Sequence, residues 1–332
     1  MQSIARLQTP YKLPQPVLEP SRRPGAYDSV SVDVPFVFSH NDRFYMLHVG
    51  FDGRGYQTAL AAADSPLGPF QDVGLVLRRG EGGGWDSGNA AGVWLLSDDE
   101  LFHTRKLKKV DGKYWMYYHS YPEEGYEAGP AAIGMAWCAD ETLLDWHRLP
   151  DPILTIEGAA DWEAGGLYKN CVVERDGRYY LFYNAKTREG PDGAWREQTG
   201  LAVGSTPFAF ARRPDNPLLT VSPGRWDSVF VSDPWVVRDG DDWVMFYYGF
   251  DGAHAREGVA FSKDLAHWEK YPEPLLEVGA PGALDDLHAH KPALLWHDGT
   301  LYHYYCCCRR DPSCPPYAER RAIAVATSRP FA

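Results

Sequence analysis

Apolar residues along this chain come in short runs, rich in Val, Tyr, Phe and Trp and partly alternating with polar ones. A period of two predicts strands, and no stretch of useful length carries the 3.6-residue period of an amphipathic helix. The runs also recur. One pattern appears as YDSVSVDVPFVF from Tyr27, WDSGNAAGVWLL from Trp85, WEAGGLYKNCVV from Trp162, WDSVFVSDPWVV from Trp226 and LDDLHAHKPALL from Leu284. Each is followed by a second element (DRFYMLHV, DGKYWMYYHS, DGRYYLFYNA, DGDDWVMFYYG, DGTLYHYYCC) and a third (TALAAADS, AIGMAWCAD, GLAVGST, GVAFSKDLAHW, AIAVATS). A fourth is short, as in DPILT, NPLLT and EPLLE. Four of the five connections from first to second element carry Asp-Gly, the signal of a tight hairpin.

Four strands per unit and five units predict an all-β fold, a five-bladed β-propeller of four-stranded antiparallel blades. The whole chain, 1–332, is then one domain, with blades starting near 27, 85, 162, 226 and 284. The fifth unit lacks its fourth element, because the chain ends in RPFA after Ser328. Near the N-terminus QPVLEP resembles the missing piece. Residues 16–18 are therefore expected to close the ring as the outer strand of the last blade, removing two sheet edges. The loops after each second element are long and polar, as in HSYPEEGYEAGP and NAKTREGPDGAWREQT, and share one face, where a binding cleft is expected.

Aligning the five first elements separates two kinds of acid. The second position reads Asp28, Asp86, Glu163, Asp227 and Asp285. An acid in every unit is expected to accept hydrogen bonds from local backbone where the chain enters each blade. The inner positions do not repeat: Asp33, Ala91, Tyr168, Ser232 and His290 at the seventh, Val34, Gly92, Lys169, Asp233 and Lys291 at the eighth, and Ser31, Asn89, Gly166, Phe230 and His288 at the fifth. Two Asp, two Lys and two His converging near an axis suit acid–base chemistry. A satisfied polar plug is the alternative.

Composition narrows the partners. A formal charge of −12 over 332 residues repels phosphate backbones and anionic lipid, so neither nucleic acid nor a membrane surface is expected. The N-terminal stretch has no apolar core of a secretory signal, and no run is long enough to span a bilayer, which makes a cytoplasmic location the expectation. The cysteines are Cys138, Cys171, Cys306, Cys307, Cys308 and Cys314. Neighbouring residues on a strand point to opposite faces, so the Cys306–Cys308 triplet cannot present three ligands to one metal. Buried reduced thiols are expected, with a Cys308–Cys314 pairing left open.

The stretch SDPWVVRDGDDWVMFYYG, followed by GVAFSKDLAHW, together with the recurrent WDSG and WDSV, resembles the five-bladed propeller glycoside hydrolases of families 43, 32 and 130. The resemblance implies an Asp on the first inner strand as base or nucleophile, which is Asp33, and a second Asp in a DP dipeptide that orients substrate, which is Asp233. It implies a Glu as acid, with Glu163, Glu197 and Glu257 as candidates. Family 117 is also similar and places a His at the acid's position, where His288 and His290 stand. Families 43 and 117 imply inversion of configuration. Asn89, Lys169, Asn170, His290, Lys291 and Arg309 are candidate substrate-binding groups. Trp85, Tyr126, Trp195 and Tyr317 are candidates for stacking on sugar rings, or for packing. A small saccharide is the implied partner.

Two other readings stand beside an exo-acting, inverting glycosidase. A phosphorylase like those of family 130 would use Lys169, His288, His290, Lys291 and Arg309 to hold phosphate. A non-catalytic carbohydrate-binding propeller would use the same face without chemistry. No cofactor is expected. Some propeller families hold a cation near an axial His, but no ligand spacing in this sequence argues for one.

Overall fold

The computed structural model describes residues 4–188, 195–314 and 318–331. It is all-β: among the described residues the helical content is a single 3-10 turn, Ile4–Arg6. Among the described residues no helix is long and apolar enough to cross a membrane.

A short strand β1 (Tyr11–Lys12) opens the chain. Four consecutive antiparallel runs follow. They are β2 (Ser31–His40), β3 (Arg43–Phe51), β4 (Tyr56–Ala63), β5 (Gln71–Leu77); then β6 (Ala91–Leu95), β7 (Tyr114–Ser120), β8 (Ala132–Cys138), β9 (His147–Arg148). The next are β10 (Gly166–Arg175), β11 (Arg178–Lys186), β12 (Glu197–Thr206), β13 (Ala209–Arg212); and β14 (Phe230–Asp239), β15 (Asp242–Phe250), β16 (Ala255–Ser262), β17 (Glu269–Lys270). The last run is β18 (His288–His297), β19 (Thr300–Arg310) and β20 (Glu319–Thr327), with β1 pairing on β20 at Tyr11–Thr327 and Lys12–Ala326. The first strands touch one another in the cyclic order β2, β6, β10, β14, β18 and back to β2.

The hairpin turns follow from their residues. Asp176-Gly177 and Asp298-Gly299 have φ of 53° and 71°, and 46° and 76°; Asn41-Asp42 has 47° and 59°. Two positive φ values give a turn whose twist matches that of the strands it joins. In DGDD the turn falls one residue later than the dipeptide suggests, on Gly240-Asp241, because Asp239 pairs with Asp242. Only Gly240 of that pair needs positive φ, so an ordinary residue can occupy the second place.

The repeated acid has a repeated partner set, different from the backbone donors expected of it. In four runs it takes a Tyr hydroxyl from its second strand and a cation from its outer strand. Asp86 accepts from Tyr118 at 3.0 Å and pairs with Arg148 at 2.8 Å; Glu163 accepts from Tyr183 at 2.8 Å and pairs with Arg212 at 2.9 Å. Asp227 is bonded by Lys270 at 2.6 Å and Tyr247 at 3.5 Å, and Asp285 by Lys12 at 2.5 Å and Tyr305 at 3.0 Å. Asp28 follows the backbone pattern, accepting from the N–H and hydroxyl of Ser21, and Glu163 adds one backbone donor, the Ala160 N–H at 3.4 Å. The side-chain partners win because the acid is buried, and a buried carboxylate requires a charge-assisted donor more than a local turn does.

Lys12 thus plays for the last run the part that Arg148, Arg212 and Lys270 play elsewhere. Farther along, Leu13 and Val17 donate their N–H groups to Val325 and Ile323, and Leu18 bridges Ile323. Leu154, Leu219 and Leu276 make the matching bridges to Ile133, Thr199 and Glu257. The segments Pro16–Leu18, Pro152–Leu154, Pro217–Leu219 and Pro274–Leu276 therefore add one bridge each, while the outer strands proper are β9, β13, β17 and β1. Proline explains the division, since it brings no N–H to a ladder. Removing residues 1–20 is expected to lower Tm as one cooperative transition, measured by calorimetry, because it strips β20 of its neighbour and Asp285 of Lys12.

Aromatic rings fill the space between runs. Phe36, Trp94 and Trp235 pack with centroids 4.8–5.3 Å apart, and Arg105 lies over both Trp rings. Burial lowers the Arg105 guanidinium to about 10, leaving it charged at neutral pH.

Candidate active site

A backbone irregularity common to the first strands builds the site. The register slips between Asp33 and Phe36, Gly92 and Trp94, Leu167 and Asn170, Ser232 and Trp235, and His290 and Ala293. Each slip is a β-bulge, which bends the strand and re-aims a side chain. Val34, Asp233 and Lys291 sit at these bulges with φ of 51°, 55° and 67°, and each is followed by proline. Proline breaks the ladder and disfavours the helical region for its predecessor. The left-handed conformation costs most at β-branched Val34, on the order of 1–3 kcal/mol.

The re-aimed side chains converge on a cavity of about 30 Å³. Lys169, Asp233 and Lys291 line it from the first strands, His119 from β7, Glu197 from the start of β12, and Glu127 from the loop after β7. Tyr56, Tyr121, Tyr168 and Tyr248 form much of its wall.

Glu197 is the most perturbed acid there. Its carboxylate accepts from Asn184 Nδ2 at 3.0 Å and from the Tyr248 hydroxyl at 3.3 Å. Burial, then the charge of Glu127, push it up to about 7, against the bond from Asn184. Both effects disfavour a second negative charge in a dry site. Asp233 accepts from the Ser232 hydroxyl at 2.9 Å and stands 4.0 Å from Lys169 Nζ. Burial lowers Lys169. It also lowers His119, helped by Lys291 and Lys169, to about 3, so that imidazole is neutral at physiological pH.

Asp33 lies one step behind this lining and is 1% exposed. Its Oδ2 accepts from Lys291 at 2.7 Å and from Arg321 at 2.5 Å, and its Oδ1 from the Val34 N–H at 2.8 Å. Burial alone would raise this carboxyl, but Lys291 and Arg321 outweigh it and hold it below the ordinary carboxylate range. Burial pulls Lys291 down and Asp33 more than compensates, leaving it raised. Arg321 also donates to the Tyr126 hydroxyl at 3.0 Å, which ties the Tyr121–Glu127 loop to this ion cluster.

The other expected site residues divide. Glu163 is held by Tyr183 and Arg212 and does not line the cavity. Glu257 is fully buried, paired with His303, and away from the lining. His288 accepts the Ala255 N–H on Nδ1, and burial lowers it to about 4. His290 bonds the Cys306 carbonyl through Nδ1 at 3.1 Å, and burial drives it well below its ordinary value. Asn89 braces loops by accepting from Tyr56 N–H and donating to the Glu123 carbonyl. Asn170 is buried beside the cavity, its amide nitrogen 3.4 Å from the Tyr168 carbonyl. Trp85 stacks on Tyr118 and donates to the Pro150 carbonyl, which is packing. Trp195, 44% exposed, stacks on Phe230 and shares Lys186 with cavity residues Tyr121 and Tyr168. Arg309 lies on β19 and does not line the cavity. Tyr317 falls outside the described residues.

Glu127 and His119 received no role from the sequence. Both belong to the long polar stretch HSYPEEGYEAGP, so loop length was the available signal, but it does not say which of its acids turns inward. All six cysteines are free thiols. Among the described residues the side-chain donors gathered with His290 are the thiols of Cys306 and Cys308, a soft set that does not suit the hard, oxygen-bound cation of some propeller families.

Because Asp227 belongs to the repeated clamp and Asp233 to the cavity, their Asn variants are expected to part ways. Asp227→Asn weakens the Lys270 pair and lowers Tm with kcat nearly intact. Asp233→Asn keeps Tm within a few degrees and loses turnover. Calorimetry and kinetics on both variants separate the two effects.

Comparison with known proteins places this architecture. The model of the glycosyl hydrolases family 32 N-terminal domain matches residues 104–283. The structure of a BT0996 complex with RGII superposes with a TM-score of 0.86 at 30% identity, over 99% of this chain and 94% of that one. A glycoside hydrolase structure superposes with a TM-score of 0.83 at 28% identity, over 100% and 96%. The uncharacterized protein MT1551 of Mycobacterium tuberculosis is 25% identical over 158 residues, 44% of this chain; the match spans about half of that protein, 51%. Structures of families 43, 130 and 117 share the fold alone, at 16%, 14% and 14% identity with TM-scores of 0.63, 0.66 and 0.64.

Proposed function

We infer that this chain, which belongs to the glycosyl hydrolases family 32 N-terminal domain family, is a glycoside hydrolase acting on a small saccharide at the cavity between its first strands. Residues 1–332 form one five-bladed propeller in this reading, with β1 and Leu18 on the outer edge of the last blade. The observation that carries the mechanism is the pairing of one acid with a raised pKa, Glu197, with a second carboxylate beside a lysine, Asp233.

Cleaving a glycosidic bond needs a protonated group at the leaving oxygen and an ionised carboxylate on the other face of the sugar. Glu197, half protonated near pH 7, is matched to the first task. Asp233, 4.0 Å from Lys169 Nζ on the cavity wall, is placed for the second. Glu127 keeps the Glu197 proton on by its charge. Asp33 is a positioning residue: with both oxygens engaged, it holds Lys291 at the cavity wall. Neutral His119 and the surrounding Tyr hydroxyls are available to bond sugar hydroxyls. The cavity is about 30 Å³, room for about two waters. A ring therefore enters as lining side chains move, with half-buried Glu127 on its loop the freest of the acids.

Hydrolysis with inversion at a chain end is the form this reading takes, with a water held between the two carboxylates. The RGII complex of the similar structure supports a saccharide as substrate. A panel of nitrophenyl furanosides and pyranosides, assayed with and without phosphate, tests the reading. Release of nitrophenol independent of phosphate, lost in Asp233→Asn, is expected. A strict phosphate requirement would make the enzyme a phosphorylase, and tight sugar binding with no turnover on any substrate would make it a binding protein.

A further inference from the structure

β18 and β19 are in register so that His290 faces Cys306 and His288 faces Cys308. Side chains two apart on a strand share a face, so Cys306 and Cys308 stand together with His290, and Cys307 points away, its thiol on the Ala322 carbonyl. The donor atoms of His290, Cys306 and Cys308 lie within 4.8 Å of one another, and all three residues are buried. The Nδ1 contact of His290 with the Cys306 carbonyl requires the hydrogen on Nδ1, since a carbonyl only accepts. Nε2 then keeps its lone pair. Donating one ring N–H to a carbonyl in this way is the habit of metal-ligating imidazoles. His288 is not equivalent, because its Nδ1 already accepts the Ala255 N–H.

We propose that His290, Cys306 and Cys308 form a binding site for a thiophilic d10 cation, zinc in the first place, behind the lysine-bearing wall of the cavity. Two thiolates and an imidazole are soft donors that select zinc or copper(I) over calcium and magnesium. Asp33, whose charge reaches His290 and Cys306, is occupied by Lys291, Arg321 and the Val34 N–H. Charge also agrees. Zinc displaces one proton from each thiol, forms two Zn–S bonds and one Zn–N bond, and releases two protons to solvent. The product, Zn²⁺ with two thiolates, is neutral, which is tolerated close to Lys291 and Arg321, whereas a bare divalent ion is not. Zn–S bonds of about 2.3 Å and Zn–N bonds of about 2.0 Å require the donors to close in by about 1 Å, and the fourth position stays open. The ion would lock β18 to β19 one residue from Lys291, and so fix the wall on which that lysine stands. Because the site is closed, loading occurs as the chain folds.

The full chain, produced in zinc-supplemented medium and freed of any polyhistidine tag, is analysed for metal by mass spectrometry. About one zinc or copper per chain is expected, lost in both Cys306→Ser and Cys308→Ser and kept in Cys307→Ser and Cys138→Ser. Should the serine variants fail to fold, wild-type protein refolded with cobalt(II) decides. An intense near-ultraviolet thiolate-to-cobalt band, and release of about two protons per ion, support the site. Less than about a tenth of an ion per chain with no cobalt band overturns it. So does metal that is only calcium or magnesium, or an equal loss of metal from Cys307→Ser.

Discussion

Glu197→Gln is expected to lower kcat by about two to four orders of magnitude while the protein stays folded, the usual contribution of a positioned proton donor. Glutamine keeps the shape and can still meet Asn184 and Tyr248, so what is lost is the proton. The pH profile makes the test specific. In the wild type the acid is protonated below about pH 7, so activity falls as pH rises through that value. In the variant the residual rate loses that alkaline limb. An unchanged rate, or an alkaline limb that survives in the variant, removes Glu197 from the mechanism.

The same residue leaves a mark on stability, with a definite sign. Its folded pKa of about 7 lies above the ordinary 4.5, so its favourable contribution is complete below about pH 4.5 and is lost as pH rises through 7. The size is on the order of 3 kcal/mol. Wild type should therefore lose stability between pH 5 and 8 relative to Glu197→Gln, as denaturant titrations at the two pH values would record.

Asp33→Asn is the second large effect, and it falls on the fold. The substitution leaves Lys291 and Arg321 buried without their shared counter-charge. Breaking a buried ion cluster by removing one partner costs roughly 3–5 kcal/mol, which for a protein of this size lowers Tm by about 5 °C. Here the sign is opposite to that of Glu197. A carboxyl held below its ordinary value contributes stability above the unfolded value of 3.8 and loses it only as pH falls through the folded value. The Asn variant should thus be less stable than wild type throughout the neutral range, with the gap narrowing only in strong acid. Replacing Lys291 by Met in the same chain should recover part of the loss, because the uncompensated charge is what costs most. A Tm equal to wild type with turnover abolished would return Asp33 to the role of catalytic base.

The two carboxylates show where the sequence is legible. Asp227 and Asp233 look alike in WDSVFVSDPWVV, and comparison with the four sister segments separates them, because a repeated position reports a repeated packing need. The same comparison marks Lys169 and Lys291 as non-repeating, and both line the cavity. It also sets Glu163 among the repeated acids, where Tyr183 and Arg212 hold it, although its residue type alone suits a proton donor. Glu197 stood among three Glu candidates for the acid, beside two His, with nothing local to single it out. Its distinction comes from Glu127, seventy positions earlier in the chain, and from burial, neither of which a local pattern encodes.

The all-β nature, the recurring strand units and the tight turns were written in the chain itself, because they rest on period-two alternation, Asp-Gly turns and repetition, all properties of near neighbours. So was the inward placement of Val34, Lys169, Asp233 and Lys291, which share one non-repeating position of the aligned first segments. Tertiary structure alone decided which charges meet: that Asp33 is spent on Lys291 and Arg321, that Glu127 comes beside Glu197, and that His290 faces Cys306 and Cys308. A pKa depends on distance and burial between groups far apart in sequence, and those are set only when the strands close around the axis.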